Sequence, residues 1–105
     1  MSQFRVYRNP RPDTKSRFPL LLDVQSDLIG PLETRVVVPL SAVSAMAGRQ
    51  MKVLMPIFVI EGKKFAMRTP QLAGISLREI GPEIADLASH RGEIIAALDL
   101  LVTGF

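Results

Sequence analysis

The stretch GPEIADLASHRGEIIAALDLLVTGF, Gly81 to Phe105, sets the terms for reading the rest of the chain. Its apolar residues fall at Ile84, Leu87, Ala88, Ile94, Ile95, Leu98, Leu101 and Val102, the three-and-four spacing of one helical face. That spacing predicts a single long amphipathic helix over about 82–102, with a short tail beyond it. Pro82 suits the first helical position, where its missing N–H costs nothing. Glu83 and Asp86 lie in or near the first turn, where the helix dipole favours carboxylates. Asp99 fits less well. It and the terminal carboxylate lie near the helix C-terminus, where negative charge is unfavourable. An acidic group that weakens its own helix end is a candidate for contact with a partner.

Upstream of this helix the pattern changes from a period near four to a period of two. Gln3 to Arg8 alternates, with Phe4 and Val6 on one side, as a half-buried strand does. NPRPDTKS interrupts it with two prolines and polar residues, a loop expected to be mobile. Phe18 to Gln25 reads as a buried strand and Arg35 to Leu40 as another, with Pro39 marking its end or an edge. Between them Ser26, Asp27, Leu28 and Ile29 precede a Gly30-Pro31 turn. Two aliphatics beside a Ser-Asp pair are compatible with an exposed patch or with packing under the next loop. The segment from Ser41 to Met55 suits a short helix stopped at Gly48, and its methionines suit either an adaptable surface or gap filling beneath a loop. Ile57 to Ile60 and Lys64 to Arg68 flank Glu61-Gly62-Lys63 and form a hairpin. GISLREI adds one more short strand. The sum is five or six antiparallel strands over about 3–80 followed by the helix, one α+β domain over residues 1–105. Gly92, inside the helix, costs roughly 1 kcal/mol against alanine and marks a possible close approach of a neighbour.

A chain of 105 residues, 48% hydrophobic and 22% charged, has room for one small globular core. It contains no cysteine, which excludes disulfides and thiolate chemistry and fits a cytoplasmic location. The start, MSQFRVYRNPRP, lacks the apolar centre of a signal peptide, and no apolar run is long enough to span a bilayer. The net charge is +3, and residues 1–17 carry Arg5, Arg8, Arg11, Lys15 and Arg17 against Asp13 alone. Such an arm is a solvated loop, a nucleic-acid contact, or a seat for an acidic peptide. Few aromatics accompany it to stack on bases.

The chain holds no HExxH, P-loop or G-x-S-x-G sequence, and no cofactor or metal site is expected. Its single histidine, His90, lies near Asp86 and Glu93 on the polar side of the expected helix, as an ion-pair partner does. Catalysis of RNA cleavage would require His90, Arg68 and an acid such as Asp86 to converge in one cleft.

Four pieces of the sequence, in order, resemble the CcdB toxins of bacterial toxin–antitoxin modules: QFRVY at 3–7, LDVQSDLI at 22–29, RVVVPL at 35–40, and IGPEIADLASHR at 80–91, followed by IIAALDLLVTGF. The resemblance covers nearly the whole chain. It implies an SH3-like, barrel-like antiparallel sheet with a C-terminal helix, shared with the MazF and Kid endoribonuclease toxins, and a homodimer. It also implies a protein that is not an enzyme. Such toxins bind the A subunit of DNA gyrase and trap the gyrase–DNA cleavage complex. A CcdA-like antitoxin neutralises them through a disordered segment, and operator DNA is engaged only through the antitoxin complex, which represses the operon.

The family's gyrase-contacting positions fall on Ser26, Leu28, Ile29, Asp99, Val102, Thr103, Gly104 and Phe105. The best-known members carry a tryptophan where this chain has Thr103, and an asparagine where it has Asp99. The tryptophan stacks on a gyrase arginine, a contact worth on the order of 1–2 kcal/mol when desolvated. For the antitoxin, charge and composition point to Arg11, Lys15, Arg17, Met46 and Met51, on segments expected to be mobile when free. Two alternatives accompany this reading: a MazF-like endoribonuclease, and a degenerate member that only binds antitoxin as a decoy.

Overall fold

The computed structural model describes residues 1–29, 32–46 and 52–104. The Gly30-Pro31 turn, the stop at Gly48, Met51 and Phe105 lie outside the described residues. Among the described residues, seven antiparallel strands form one curled sheet: β1 (Arg5–Arg8), β2 (Leu20–Asp23), β3 (Thr34–Ala42), β4 (Ile57–Ile60), β5 (Lys63–Met67), β6 (Ala73–Ser76) and β7 (Glu83–Asp86). One helix, α1 (Arg91–Thr103), follows. The strand order is β4-β5-β3-β2-β1-β7, and β6 pairs with β3 off that path.

The nine-residue β3 is the spine of the sheet. One of its edges is filled by β2; along the other it pairs first with β6, over 34–37, and then with β5, over 40–42. Pro39 sits at this changeover and opposite Leu21. Proline has no N–H to give a ladder, so the gap between two partner strands is where a sheet tolerates it. Pro39 therefore marks a change of neighbour inside the strand, not the strand's end. Its carbonyl accepts from Arg68 N at 2.9 Å.

Pairing register decides which side chains meet. Val6 lies opposite Leu22, Leu22 opposite Val38 and Leu20 opposite Leu40, and all five are at most 2% exposed. With Phe4, Phe58, Ile60, Met67 and Leu87 they form the core on which α1 lays Ile94 and Ala97. The alternate residues Tyr7, Leu21, Asp23, Val37 and Pro39 face the other side. Several are buried there too, because β6 and the 9–18 loop cover part of that face.

The hairpin of β4 and β5 turns on two residues, Glu61 and Gly62, both with positive φ (52° and 76°), as the right-handed strand twist demands of a tight hairpin. Lys63 thus belongs to the strand, opposite Ile60. β1 begins at Arg5, two residues later than its alternation suggests. Phe4 adopts a left-handed φ of 68°, held by Phe4 N to Asp23 O (2.7 Å) and Leu87 N to Phe4 O (2.8 Å).

The final stretch departs furthest from its periodicity. The helix does not run over 82–102. Residues 83–86 form β7 against β1, a 3₁₀ turn spans Ala88–His90, and α1 starts at Arg91. The local signals at Pro82 and Glu83 are genuine, but the outer edge of β1 offers a full set of backbone partners. Arg8 N donates to Pro82 O (3.0 Å) and Gly81 N donates to Arg8 O (2.9 Å). Glu83 and Asp86, read as dipole partners, instead flank Arg5, with contacts of 3.1 and 3.8 Å. His90 is accordingly the residue that precedes α1 and not a mid-helix residue. Gly92 lies in the first turn of α1 with open space where a Cβ would be, so close packing does not explain it.

Gly81 does have a packing reason. A Cβ there would stand 2.7 Å from the Arg8 carbonyl oxygen, a backbone atom with nowhere to retreat. Gly81→Ala is expected to push β7 off β1 and destabilise the protein by about 1–3 kcal/mol. Chemical denaturation would show the loss, and an unchanged midpoint would contradict it.

Candidate functional site

The strand-exit patch rests on a buried polar cage. As β2 ends, Asp23, with its side chain fully buried, accepts from Gln25 N through Oδ1 (2.9 Å) and from Arg35 Nε through Oδ2 (2.9 Å). The Arg35 guanidinium also donates to the Gln25 carbonyl (3.0 Å) and to Asp27 Oδ1 (3.2 Å). Gln25 Oε1 accepts from Val36 N (2.9 Å), and Asp27 Oδ1 accepts from Gln3 N (3.1 Å). Burial pushes the Asp23 carboxyl above its ordinary range, against the opposing pull of the Gln25 amide and Arg35.

This cage fixes the backbone just before Ser26, whose Oγ accepts from Leu28 N (3.1 Å) and caps the 3₁₀ turn Asp27–Ile29. Leu28 is 96% exposed and Ile29 58%. They do not pack under the following loop; they are aliphatic side chains held in water by rigid polar supports.

The helix end is built more simply. Ile94 and Ala97 are buried and Ile95 and Leu98 half-buried, which anchors the body of α1. Val102, one turn on and off that face, is 78% exposed. Gly104 closes the helix in a left-handed conformation (φ 82°), donating to Leu100 O at 3.1 Å. Thr103 Oγ1 donates to Asp99 O at 2.7 Å, so its hydroxyl is engaged by its own helix. The exposed Asp99 side chain has no ion pair among the described residues. No hydrogen bond or ion pair among the described residues links the helix end to the 26–29 patch.

The residues proposed for antitoxin contact divide. Arg11 is paired with Asp13 (3.1 Å) and Glu79 (3.6 Å). Lys15 and Arg17 are exposed on a loop whose ends are joined by local hydrogen bonds. Buried Asn9 donates to Thr14 Oγ1 (3.0 Å) and to the Phe18 carbonyl (2.8 Å) while accepting from Arg11 N (3.1 Å). Met46 does not belong to a surface. It is 4% exposed and packs with Met55 and Ala66, filling a gap as a flexible thioether can. The short helix expected around it reduces to a 3₁₀ turn, Val43–Ala45, among the described residues.

The catalytic alternative does not assemble. His90 Nδ1 meets Glu93 Oε1 (3.1 Å) and its ring stands edge-on to Phe58. Arg68 reaches Ser41 Oγ (3.4 Å) and the Phe18 ring, and Asp86 caps Ala88 N (2.9 Å) beside Arg5. The three candidates share no partner. Asp23, Gln25 and Arg35, the residues that set the geometry of the site, were not singled out by sequence reading. Their signal was a charge inside each of two apolar strands, LLLDV and RVVV, which in a buried sheet must find its counterpart.

The curled sheet thus carries exposed aliphatic side chains at the 26–29 turn, and α1 carries another at Val102. A family model described as CcdB protein matches residues 3–104, and the chain belongs to the CcdB family. That family comprises toxins of toxin–antitoxin modules, protein poisons of DNA gyrase and not catalysts. No helix among the described residues is long and apolar enough to cross a membrane.

Proposed function

We propose that this protein binds the A subunit of DNA gyrase and traps the gyrase–DNA cleavage complex. Ser26, Leu28 and Ile29 form one contact and Asp99, Val102, Thr103, Gly104 and Phe105 the other. The observation that carries this reading is Leu28, an almost fully exposed leucine on a backbone locked by the Asp23–Arg35 cage. A homodimer presents two copies of each anchor to a two-fold symmetric target. A CcdA-like antitoxin neutralises the toxin in the cytoplasm and, with it, represses their operon. The test is purified protein with gyrase and supercoiled plasmid, read as linear DNA released from trapped complexes. Absence of cleavage with wild-type gyrase, at concentrations that saturate antitoxin binding, would refute the poison and favour the decoy.

Thr103 sets the strength of this grip. With its hydroxyl committed to the Asp99 carbonyl, it supplies a methyl group where a ring could cover a guanidinium. Thr103→Trp is expected to strengthen gyrase binding by about 1–2 kcal/mol, roughly 5- to 30-fold in Kd. Surface plasmon resonance on the immobilised gyrase fragment would measure it. Unchanged affinity would place the helix end outside the interface.

A further inference from the structure

The two ends of the sheet are finished differently. β7, at one end, carries Glu83 and Asp86 and follows Pro82, and its pairing with β1 shifts register between Val6 and Tyr7. Charge, proline and an irregular ladder are devices that keep an exposed strand edge from pairing with another chain. β4, at the other end, has none of them within Ile57–Ile60, whose sequence is IFVI. Among the described residues its only strand neighbour is β5.

The β4–β5 ladder fixes which backbone groups of β4 are left over. Met67 N donates to Pro56 O at 2.9 Å, and the two-residue turn closes on the Ile60–Lys63 pair. Hydrogen-bonded pairs alternate along an antiparallel ladder, so the peptide groups of Phe58 and Ile60 point toward β5. Those of Ile57 and Val59 point away from it. The side chains divide in the same way: Phe58 and Ile60 are buried, whereas Ile57 is 37% and Val59 65% exposed. Beside Ile57 the edge opens on a cavity of about 260 Å³ lined by Lys52, Met55, Pro56 and Glu93. An edge of this phase is complementary to itself. Set antiparallel to a second β4 with Phe58 opposite Phe58, each Ile57 faces a Val59 of the other strand. Both members of these pairs carry free N–H and C=O groups, so the two pairs exchange about four backbone hydrogen bonds. The exposed aliphatic side chains then meet across the strands on one face. A slip of one residue would set outward peptide groups against inward ones and lose the match. Lys63 and Lys64 lie on β5, on the far side of each β4.

We infer that β4 pairs with the β4 of a second copy of this chain, joining two sheets edge to edge about a two-fold axis at Phe58. The contact is short, so it is weak and forms as concentration rises. It is separate from the residues proposed to hold gyrase, which lie in the 26–29 turn and at the end of α1, and it does not depend on that reading. Added to a homodimer built on another face, it links dimers into larger assemblies.

The chain contains no cysteine, so single introduced cysteines report the register. Ile57→Cys and Val59→Cys proteins are oxidised separately and as an equimolar mixture, at about 10 and about 100 μM, and disulfide-linked dimers are read on non-reducing gels. Opposed residues of a hydrogen-bonded pair have Cα atoms about 5.5 Å apart, within reach of a disulfide. Like positions are offset by two residues and stand about 8–9 Å apart, beyond that reach. The mixture should therefore cross-link at least about tenfold faster than either protein alone, and the excess should shrink on dilution. Combining Ile57→Cys with Val59→Pro, which removes an N–H that β5 does not use, should abolish the excess against Val59→Cys. Circular dichroism checks the fold of that variant, and the cysteine comparison decides the question without it. Equal rates in the three preparations, or like positions linking faster than the mixture, would overturn the inference. Gyrase cleavage assayed with the Val59→Cys protein tests the poison separately, so either reading can fail alone.

Discussion

Arg35→Met is expected to destabilise the protein by about 3–5 kcal/mol, the largest effect of any single substitution considered, because it strips the counter-charge from a carboxylate with no exposed surface. The loss should reach function too. Arg35 also ties down the Gln25 carbonyl and Asp27, so the turn bearing Leu28 and Ile29 would lose its support. Acidity should moderate the damage. Burial already raises the folded-state pKa of Asp23 above its unfolded value, and removing Arg35 takes away an opposing pull. The fold then prefers the neutral acid. Its penalty is absent below the unfolded pKa and grows as pH rises through the folded one. Urea denaturation of native and variant proteins between about pH 4 and 8 would display this, with the difference widening toward neutral pH. A pH-independent difference would mean that Asp23 does not carry the charge assigned to it. The double variant Asp23→Leu/Arg35→Met should recover much of the lost stability, because an apolar pair leaves no charge stranded.

Leu28→Asp should abolish gyrase binding while leaving the fold intact. Leu28 contacts almost nothing in its own chain, so denaturation midpoints should stay within error. An aliphatic anchor seated in a partner's pocket contributes about 2 kcal/mol or more, and a carboxylate in its place must be desolvated without a counter-ion. The combined loss is on the order of 100-fold or greater in Kd. Val102→Asp should act in the same direction at the helix end. Titration against the gyrase A fragment, with thermal melts in parallel, separates the binding effect from any folding effect. Native affinity in the Leu28 variant would remove the 26–29 turn from the interface.

Much of the architecture was legible in the residue pattern, for identifiable reasons. The β4–β5 hairpin is encoded locally, by β-rich runs around Glu61-Gly62, and β3 by RVVV. The body of α1 is legible from Ile94, Ala97 and Leu98, because helical periodicity is a property of one segment alone. The start of that helix was not legible. Whether Pro82 and Glu83 begin a helix or a strand is decided by an unfilled edge of β1 far away in sequence, and no local signal carries that. The candidate site follows the same division. Leu28 and Ile29 stand out as aliphatics beside a Ser-Asp pair, yet only the pairing of Asp23 with Arg35 decides that they face water. Met46 shows the converse: composition suggests an adaptable surface, and the neighbouring strands bury it.

The pairing of β1 with β7 also dictates when this protein can first exist. The Arg5–Glu83 ion pair joins residues 78 positions apart, and Leu87 reaches back to the Phe4 carbonyl just before α1 begins. A chain emerging from the ribosome holds its first strand half-finished until nearly all of the sequence described here has been made. Closing so long a loop is entropically expensive and slow, and only its closure sets the platform on which α1 rests. Nascent and truncated chains therefore lack the closed sheet on which α1 rests. For a protein that harms the cell making it, late assembly confines activity to finished molecules.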